Sequence, residues 1–452
     1  MSPYSLTCCS GVGNATGANF LLKTPDLSIL VDCGLIQGSH ESMEENHLEF
    51  SYDPSRIDCL LVTHSHMDHI GRIPKLVKAG FKGVIYSTLE TKEISALMLD
   101  DAQALMAREA RERGLDPMYE KEHVAEALGL WKTVEYHTTF QLGPDASVYL
   151  KDAGHILGSA IIEVTLPTTK IAFTGDLGNS PTPLLRDTEF VTDAEYMVIE
   201  SVYGDRNHEP KDVRSARFKA IVSETLAKGG TVVIPAFSIE RTQIILYELN
   251  NLIEAHLIPR IPVFLDSPLA IKVTDVYKRH REEFNQRTQG VISAGDDIFS
   301  FPGLKIVDSH QESQGIDAVK GPKIIIAGSG MSVGGRVLHH EISFLDDPKS
   351  TILLVGYQVS GSVGRQIEEK RSVIKINGTP VQVRARIEKI SGYSSHKDSD
   401  NLVDFVSHAM PKLKQVFVAM GETKSSAFLA QRLRSEVGAH AILPERDKTY
   451  EL

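Results

Sequence analysis

Three histidines and an aspartate lie within six consecutive residues of this 452-residue chain. The hexad His-Ser-His-Met-Asp-His (64–69) directly follows the apolar run 57–62, so a buried strand is expected to end at its first residue. A hydrophobic core would gain nothing from so many polar groups. Imidazole nitrogen and carboxylate oxygen are, in contrast, the ligands that hydrolytic zinc prefers. The hexad therefore predicts a metal site.

Three further polar residues stand where other apolar runs end. His155 lies in the glycine-flanked turn Asp-Ala-Gly-His-Ile-Leu-Gly-Ser, Asp176 follows Thr-Gly after an apolar run, and Asp32 follows Ile-Leu-Val. Because His155 and Asp176 offer the same donor types as the hexad, we expect them to complete its ligand set. Asp32 is suited to hold the hexad loop through hydrogen bonds to its backbone or to a histidine.

Short apolar runs alternate with amphipathic segments along the chain, which is typical of an α/β protein. Several runs end in small or polar residues, and ligands of α/β folds gather at the carboxyl ends of strands. Residues 90–113 have helical apolar spacing, at Ile94, Leu97, Met98, Leu105 and Met106, and predict a helix whose methionines pack in the core. A polar, turn-rich stretch at 203–210 predicts a crossing into a second domain. A turn at 377–380, before a charged strand over 381–390, predicts a second crossing.

Composition limits the class of protein but leaves its function open. The chain is 42% hydrophobic and 24% charged, and its length favours two or three domains. No apolar stretch reaches the roughly 20 residues of a membrane helix, so no membrane association is expected. The four cysteines show no C-x-x-C spacing and suggest reduced thiols in a cytoplasmic protein. The net charge of −11 does not by itself suggest a nucleic-acid partner, although a local basic groove can override it.

These residues resemble the motifs of a known fold. Asp32, the hexad, His155 and Asp176 match, in order, the first four motifs of the metallo-β-lactamase fold, and the later part resembles its β-CASP nuclease branch. The matching later segments are 200–208 (Glu-Ser-Val-Tyr-Gly-Asp-Arg-Asn-His), 235–241 (Pro-Ala-Phe-Ser-Ile-Glu-Arg), 327–336 (Ala-Gly-Ser-Gly-Met-Ser-Val-Gly-Gly-Arg), 356–365 (Gly-Tyr-Gln-Val-Ser-Gly-Ser-Val-Gly-Arg) and 391–398 (Ser-Gly-Tyr-Ser-Ser-His-Lys-Asp). The resemblance implies an α/β protein: an αββα metallo-β-lactamase sandwich, residues 1–204 and 379–452, with an inserted α/β β-CASP domain over 205–378.

The resemblance also implies a zinc-dependent ribonuclease that hydrolyses single-stranded RNA. The implied zinc ligands are His64, His66, His155 and Asp176 for one ion and Asp68, His69 and a bridging Asp176 for a second. A hydroxide held by the metals would attack the phosphate, with Asp68 taking part in catalysis. His396 would protonate the leaving oxygen, and Glu200 would orient that histidine and keep it protonated.

The glycine-rich run 328–335 follows an apolar strand but does not have the spacing of a dinucleotide-binding fingerprint. A backbone cradle for RNA phosphates fits better. Ser329, Gly330, Arg336 and Arg365 are therefore expected to contact RNA, although either arginine could equally be an ion-pair partner.

The chain departs from the family pattern at Met420, which stands where the RNA-acting branch has a zinc-binding histidine. A thioether is a poor ligand for hydrolytic zinc, so the second zinc site is expected to be weak. The DNA-acting branch has an apolar residue at this position, so a DNA substrate stays open. The functions of a non-cleaving RNA-binding scaffold and of a small-molecule hydrolase also stay open. The choice between endonuclease and 5′-exonuclease action, the sequence preference and the formation of a homodimer also stay open.

Overall fold

A computed structural model describes residues 3–38, 44–359 and 361–452, apart from the side chains of 211 and 212, and divides the chain into two units. The first unit contains Met1–Asn207 and His396–Leu452, and the second contains His208–Ser395. The described helices are α1 (Met67–Ile70), α2 (Ile73–Lys78), α3 (Leu89–Arg113), α4 (Lys121–Gly129), α5 (Lys211–Ala227), α6 (Arg241–Glu254), α7 (Pro268–Arg279), α8 (Gln286–Ser293), α9 (His310–Gly315), α10 (Val337–Phe344), α11 (Val363–Glu368), α12 (Ser399–Ser407) and α13 (Thr423–Glu436). Short 3₁₀ turns occur at Glu45–His47, Pro54–Arg56, Arg281–Glu283 and Ser391–Tyr393.

The first unit is built on two seven-stranded sheets. The first sheet has the order β22 (Thr449–Glu451), β1 (Ser5–Ser10), β2 (Asn19–Lys23), β3 (Ser28–Val31), β4 (Cys59–Leu61), β5 (Val84–Ser87), β6 (Trp131–Thr133). The second has the order β21 (Ala441–Ile442), β20 (Gln415–Val418), β11 (Tyr196–Ile199), β10 (Thr169–Phe173), β9 (Ala160–Leu166), β8 (Ala146–Asp152), β7 (Phe140–Gly143).

Apolar clusters show how these two sheets are layered. Side chains of both sheets, among them Leu22, Ile162 and Phe417, share one buried core between them. A second cluster joins the outer face of the first sheet to α1–α4, and a third joins the outer face of the second sheet to α12 and α13. The order of layers is helices, sheet, sheet, helices, so the predicted αββα sandwich is confirmed.

The second unit contains a six-stranded sheet in which all described strand pairs are parallel. Its order is β14 (Leu304–Ile306), β13 (Val263–Asp266), β15 (Lys323–Ala327), β12 (Thr231–Pro235), β16 (Thr351–Leu354), β19 (Arg386–Lys389). A hairpin of β17 (Val373–Ile376) and β18 (Thr379–Gln382) packs with α10 and α11 against one face. Because the strands run in one direction, their carboxyl ends and the loops that follow them meet at one edge.

The turn at 377–380 differs from its sequence-based interpretation. Asn377 and Gly378 both have positive φ, 49° and 79°, which is the pattern of a type I′ hairpin turn, and they join β17 to β18 inside the second unit. The expected single strand over 381–390 is instead the end of β18 followed by β19, which pairs with β16. The chain therefore leaves the second unit after Ser395, later than the boundary expected at 378. The crossing expected at 203–210 contains the observed boundary after Asn207.

The long helix predicted over 90–113 is present as α3. It begins where the Thr88 side chain accepts a hydrogen bond from the Thr91 N–H. Met98 and Met106 pack against the outer cluster of the first sheet, as expected. Leu105 is 43% exposed, because the second half of α3 lies at the surface.

No helix among the described residues is both long and apolar enough to cross a membrane. The four cysteines, Cys8, Cys9, Cys33 and Cys59, are buried and unpaired. Burial raises the pKa of each thiol, so these cysteines are unreactive packing residues.

The loop after β3 lies against the hexad so closely that only glycine fits at position 34. A Cβ atom on Gly34 would lie 1.5 Å from the backbone oxygen of Asp68. We therefore predict that Gly34→Ala destabilises the first unit by about 3 kcal/mol, because the two loops must separate. Urea unfolding followed by the fluorescence of Trp131, the single tryptophan of the chain, measures this directly.

The matched control is Gly129→Ala. A Cβ on Gly129, in the last turn of α4, has nothing within 4 Å, so its unfolding midpoint should equal or exceed that of the parent. Equal midpoints for Gly34→Ala and the parent protein would show that the two loops are not in contact.

Candidate metal centre

The hexad occupies the turn between a buried strand and a short helix. β4 ends at Leu61, and α1 begins at Met67 with His66 as its N-cap residue. His64 and His69 are buried, and His66 is half-buried. The expected strand end is confirmed, and the turn places all three rings at the same edge of the first sheet.

Four predicted ligands converge on one point. The Nδ1 atom of His66 lies 3.1 Å from Nε2 of His64 and 3.1 Å from Nε2 of His155. The Oδ2 atom of Asp176 lies 3.4 Å from each of the same two Nε2 atoms. A tetrahedral ion with zinc–nitrogen bonds of about 2.0–2.1 Å would separate its donors by roughly 3.3 Å. The spacing of these atoms therefore fits a four-coordinate metal.

The protonation of this cluster also suits a metal. Burial lowers the pKa of His64, His66 and His155, which keeps the rings neutral and leaves their lone pairs available. Two buried atoms, Nε2 of His69 and Oδ1 of Asp176, have no hydrogen-bond partner among the described residues. The two atoms lie 3.4 Å apart, and a cation held between them would satisfy both.

Asp32 orients two of the histidines. Its carboxylate accepts hydrogen bonds from the N–H and the hydroxyl of Thr63, both at 2.8 Å, and from Nδ1 of His69 at 2.7 Å. The Thr63 hydroxyl in turn accepts from Nδ1 of His64 at 3.0 Å. A proton on Nδ1 leaves Nε2 of each ring directed at the centre. Burial on its own would lower the pKa of His69, but the charges of Asp176 and Asp32 outweigh it and raise that pKa, so this ring would give up its Nε2 proton on binding a metal. Thr63 was not singled out from the sequence, although its place directly before the hexad was the available signal.

The donor atoms of Asp68 and His69, the second half of the hexad, are less closely spaced. Nε2 of His69 lies 3.4 Å from Oδ1 of Asp176 and 3.8 Å from Oδ2 of Asp68. Among the described residues, the groups whose donor atoms all lie within 4.8 Å of one another are His64–His66–His155–Asp176 and Asp176–Glu200–His396, and Asp68 belongs to neither. Burial raises the pKa of Asp68, which weakens it further as an anionic ligand in the absence of a cation.

Met420 lies on the core side of this second half. Its side chain is 3% exposed, belongs to the apolar core between the sheets and lines a cavity shared with His69, Asp32 and Glu200. The Met420 N–H donates to the carbonyl of Gly11 at 2.8 Å, which fixes the turn after β20. The position that lacks a nitrogen donor is thus next to the ring that would need one.

Glu200 and His396 form a pair beside the ligand cluster. Nδ1 of His396 lies 3.1 and 3.2 Å from the two carboxylate oxygens of Glu200 and 3.8 Å from Oδ2 of Asp176. Glu200 is fixed because it accepts the N–H of Leu177 at 2.7 Å. Burial on its own would lower the pKa of His396, but the charges of Glu200 and Asp176 outweigh it and raise that pKa to about 9. His396 is therefore a protonated, partly exposed donor.

Ser329 and Gly330, two of the residues expected to contact RNA, lie in a loop of the second unit that touches the loop before α11, and a third, Arg365, lies in α11 itself. The Ser329 hydroxyl accepts the N–H of Val333, and the carbonyl of Gly330 accepts Nε2 of Gln358 at 2.9 Å. Nε of Arg365 donates to the Gln358 carbonyl at 2.9 Å, and its guanidinium lies over the ring of Tyr357. Residue 360, within the matching segment 356–365, lies outside the described residues.

Arg336 is instead the ion-pair partner of a buried carboxylate. Its Nη1 donates to Oδ1 of Asp266 at 2.7 Å and to the Val307 carbonyl at 3.0 Å, and its Nη2 donates to the Asp308 carbonyl. The structure thus shows the ion pair that was left open for Arg336 beside its role as an RNA contact.

Comparison with known proteins agrees with this geometry. Three family models match the chain: the metallo-beta-lactamase superfamily over residues 15–217, the Beta-Casp domain over 242–367, and the Zn-dependent metallo-hydrolase RNA specificity domain over 380–444. Membership of the superfamily implies a divalent metal, and the cluster of His64, His66, His155 and Asp176 fits one.

Individual relatives extend over most of the chain. Ribonuclease TTHA0252 of Thermus thermophilus is 36% identical over 391 residues, 86% of this chain and 88% of that protein. An RNase J-like protein of Methanocaldococcus jannaschii is 30% identical over 94% of each chain. Transcription termination factor FttA of Methanosarcina mazei is 32% identical over 93% of this chain and 67% of its own length. A solved structure of a protein of unknown function from Enterococcus faecalis V583 shares the fold, with a TM-score of 0.58, 14% identity and coverage of 99% of this chain and 100% of that one. The chain therefore belongs to the β-CASP family of the metallo-β-lactamase superfamily and is a metal-dependent hydrolase of the nuclease type.

Proposed function

We propose that the protein is a zinc-dependent ribonuclease that cleaves phosphodiester bonds of single-stranded RNA. The observation that carries the proposal is the Glu200–His396 pair beside the four-ligand cluster. Hydrolysis of a phosphodiester must expel an alkoxide, which is a poor leaving group unless it receives a proton. A protonated histidine next to a metal cluster meets that requirement.

In this proposal His64, His66, His155 and Asp176 hold the first zinc, and Asp68, His69 and Asp176 hold a second more weakly. When bound there, zinc supplies a Lewis acid for the phosphate and a water of lowered pKa. Asp32 and Thr63 keep the rings of His69 and His64 aimed at the centre through the Nδ1 hydrogen bonds described above.

His396 acts as the general acid. Its Nδ1–H is directed at Glu200, so the proton available to substrate is the one on Nε2. That proton goes to the leaving 3′-oxygen as the phosphorus–oxygen bond breaks, and solvent returns a proton to the ring. Glu200 holds the ring in this orientation and stabilises its charged form, as a buried carboxylate partner does.

The choice of RNA rests on the relatives of this chain. They include a ribonuclease and an RNase J-like protein, and the model that matches residues 380–444 is that of an RNA specificity domain. Ser329, Gly330 and Arg365 are proposed to contact the RNA backbone. Arg336 is not included, because its guanidinium already forms an ion pair with Asp266. The buried, unpaired cysteines fit a reducing compartment such as the cytoplasm.

A DNA substrate is the second candidate, because Met420 places an apolar residue where the DNA-acting branch also has one. A non-cleaving scaffold is less well supported, since four convergent ligands and the Glu200–His396 pair are all present. Parallel assays on single-stranded RNA and DNA of one sequence separate the first two candidates.

The role of His396 is tested with two substrates that differ in leaving group. We predict that His396→Ala slows RNA cleavage about a thousandfold, within the usual range for loss of a general acid. Hydrolysis of bis(p-nitrophenyl) phosphate should fall far less, because nitrophenolate leaves without a proton. Initial rates on both substrates at equal zinc loading give the comparison.

The matched control is His440→Ala, which removes an exposed histidine of the same unit and should leave both rates unchanged. Equal losses on both substrates after His396→Ala would indicate a structural or metal-binding role and would refute the general acid assignment.

The weakness of the second zinc site is tested at Met420. We predict that the parent protein retains about one zinc per chain after competition with a chelator, and that Met420→His retains about two, because the new imidazole faces the cavity beside His69. Atomic emission spectroscopy of dialysed protein measures the content. Met410→His serves as the control, because Met410 is partly buried against the cluster that joins the second sheet to α12 and α13. Two tightly held zincs in the parent, or no gain in Met420→His, would contradict the prediction.

A further inference from the structure

A buried carboxylate stands at the edge of the parallel sheet in the second unit. Asp266 ends β13 with a fully buried side chain and accepts three hydrogen bonds. Its donors are Oγ of Ser313 at 2.6 Å, Nη1 of Arg336 at 2.7 Å and Nε2 of His340 at 2.7 Å. These hydrogen bonds connect α9 and the start of α10 to the end of β13.

His340, also fully buried, lies between two carboxylates. Its Nε2 faces Asp266, and its Nδ1 lies 3.2 Å from Oδ1 of Asp317. Ionised carboxylates only accept hydrogen bonds, so both ring nitrogens must carry protons to satisfy this geometry. Burial on its own would lower the pKa of His340, but hydrogen bonds to Asp266 and Asp317 outweigh it and raise that pKa.

The other charged or titratable groups around His340 are accounted for. Asp317 also contacts Nε2 of His339 at 3.0 Å and accepts the hydroxyl of Ser343 at its exposed edge. Glu341 is buried, which raises its pKa to about 8, and Oγ of Ser332 is hydrogen-bonded to its carboxyl group. His339 and Glu341 lie on α10 beside His340, and Arg336 directly precedes that helix. The groups on other elements are Asp266, Asp317 and Lys323, whose charge acts on Asp317. At neutral pH Glu341 is mostly uncharged, so two carboxylates face the imidazolium and the Arg336 guanidinium.

This network borders the glycine-rich loop 328–336. The loop leaves β15 at Ala327, which is paired in register with Asp266, and it enters α10 at Val337. Its two ends meet where the Val337 N–H donates to the Gly328 carbonyl at 3.0 Å. Because Asp266 holds α10 through Arg336 and His340, it sets the separation of strand and helix that the loop must span.

We propose that Asp266, Arg336 and His340 are positioning residues that hold loop 328–336 in the shape required to bind the RNA backbone, and that this shape depends on both ring protons of His340. The inference rests on the proposed function, because it takes this loop as an RNA contact. When His340 loses a proton, one ring lone pair faces a carboxylate oxygen, and the resulting repulsion loosens α10 from β13.

The test measures RNA binding and small-substrate turnover separately. Affinity for a fluorescent single-stranded RNA is measured by anisotropy from about pH 6 to 9, a range that begins near the ordinary pKa of histidine and extends above it. Asp266→Asn should weaken binding about tenfold, equivalent to roughly 1.4 kcal/mol, with turnover of bis(p-nitrophenyl) phosphate unchanged. In the parent, affinity should fall as pH rises. In His340→Gln it should be weak from pH 6 upward, and any pH dependence that is left belongs to Glu341, whose pKa of about 8 lies in the same range.

Asp317→Asn is a milder variant if substitution of Asp266 prevents folding. Removing one carboxylate destabilises the imidazolium, so the fall in affinity should move to lower pH. Asp346→Asn, which removes an exposed partner of Arg384 in the same unit, is the control and should behave as the parent. Parental affinity and an unchanged pH profile in folded His340→Gln and Asp317→Asn would overturn the inference.

Failure of the proposed function has a different outcome. If the parent binds no RNA, the substrate assignment fails, and the positioning role is decided by hydrogen exchange of the amides in 328–336. Faster exchange, corrected for intrinsic rates, in His340→Gln or at high pH in the parent supports the positioning role. Unchanged protection overturns it.

Discussion

The metal centre depends on the hydrogen bonds that the Asp32 carboxylate accepts. This carboxylate joins the end of β3 to the residue before the hexad through two hydrogen bonds to Thr63, and it fixes the ring of His69 through a third. Asp32 adopts φ +57°, a left-handed conformation that costs a non-glycine residue about 1–2 kcal/mol. The hydrogen bonds offset that cost, and they hold because the neighbouring loop at Gly34 lies directly on the hexad backbone.

The same constraint explains why the two halves of the hexad differ. His64 and His66 meet His155 and Asp176 at donor spacings that match a tetrahedral ion. Asp68 and His69 are held in place by the same loop, but neither belongs to the described groups whose donor atoms all lie within 4.8 Å of one another, and Met420 lines the cavity beside His69 with a thioether. This difference in donor spacing is the basis of the proposal that the second metal site is weaker than the first.

Much of the site could be predicted from the sequence, because metal ligands reveal themselves by residue type and by their place at strand ends. The hexad, His155, Asp176 and a supporting role for Asp32 could be proposed in this way, whereas the layered fold was expected from the resemblance to the metallo-β-lactamase family. The close approach at Gly34 could not be predicted, since it depends on which backbone the loop touches, and the hydroxyl of Thr63 carries no signal of its own beyond its place directly before the hexad. The ion-pair alternative for Arg336 could not be decided from the sequence, because its partner, Asp266, is 70 residues away and the fold brings the two together. The Asn377–Gly378 turn was a correct turn signal, but local sequence does not say whether a turn closes a hairpin or separates domains.

The central claim, that the hexad centre of the first unit cleaves RNA, is tested most directly by incubating an end-labelled single-stranded RNA with the zinc-loaded protein and with His66→Ala. His66 is the ring whose Nδ1 meets both His64 and His155, so its loss removes a donor from the middle of the first site. The structure predicts cleavage by the parent that stops on chelation of zinc and is absent in His66→Ala. Cleavage that survives in folded His66→Ala at the parental rate would contradict the assignment of the metal centre.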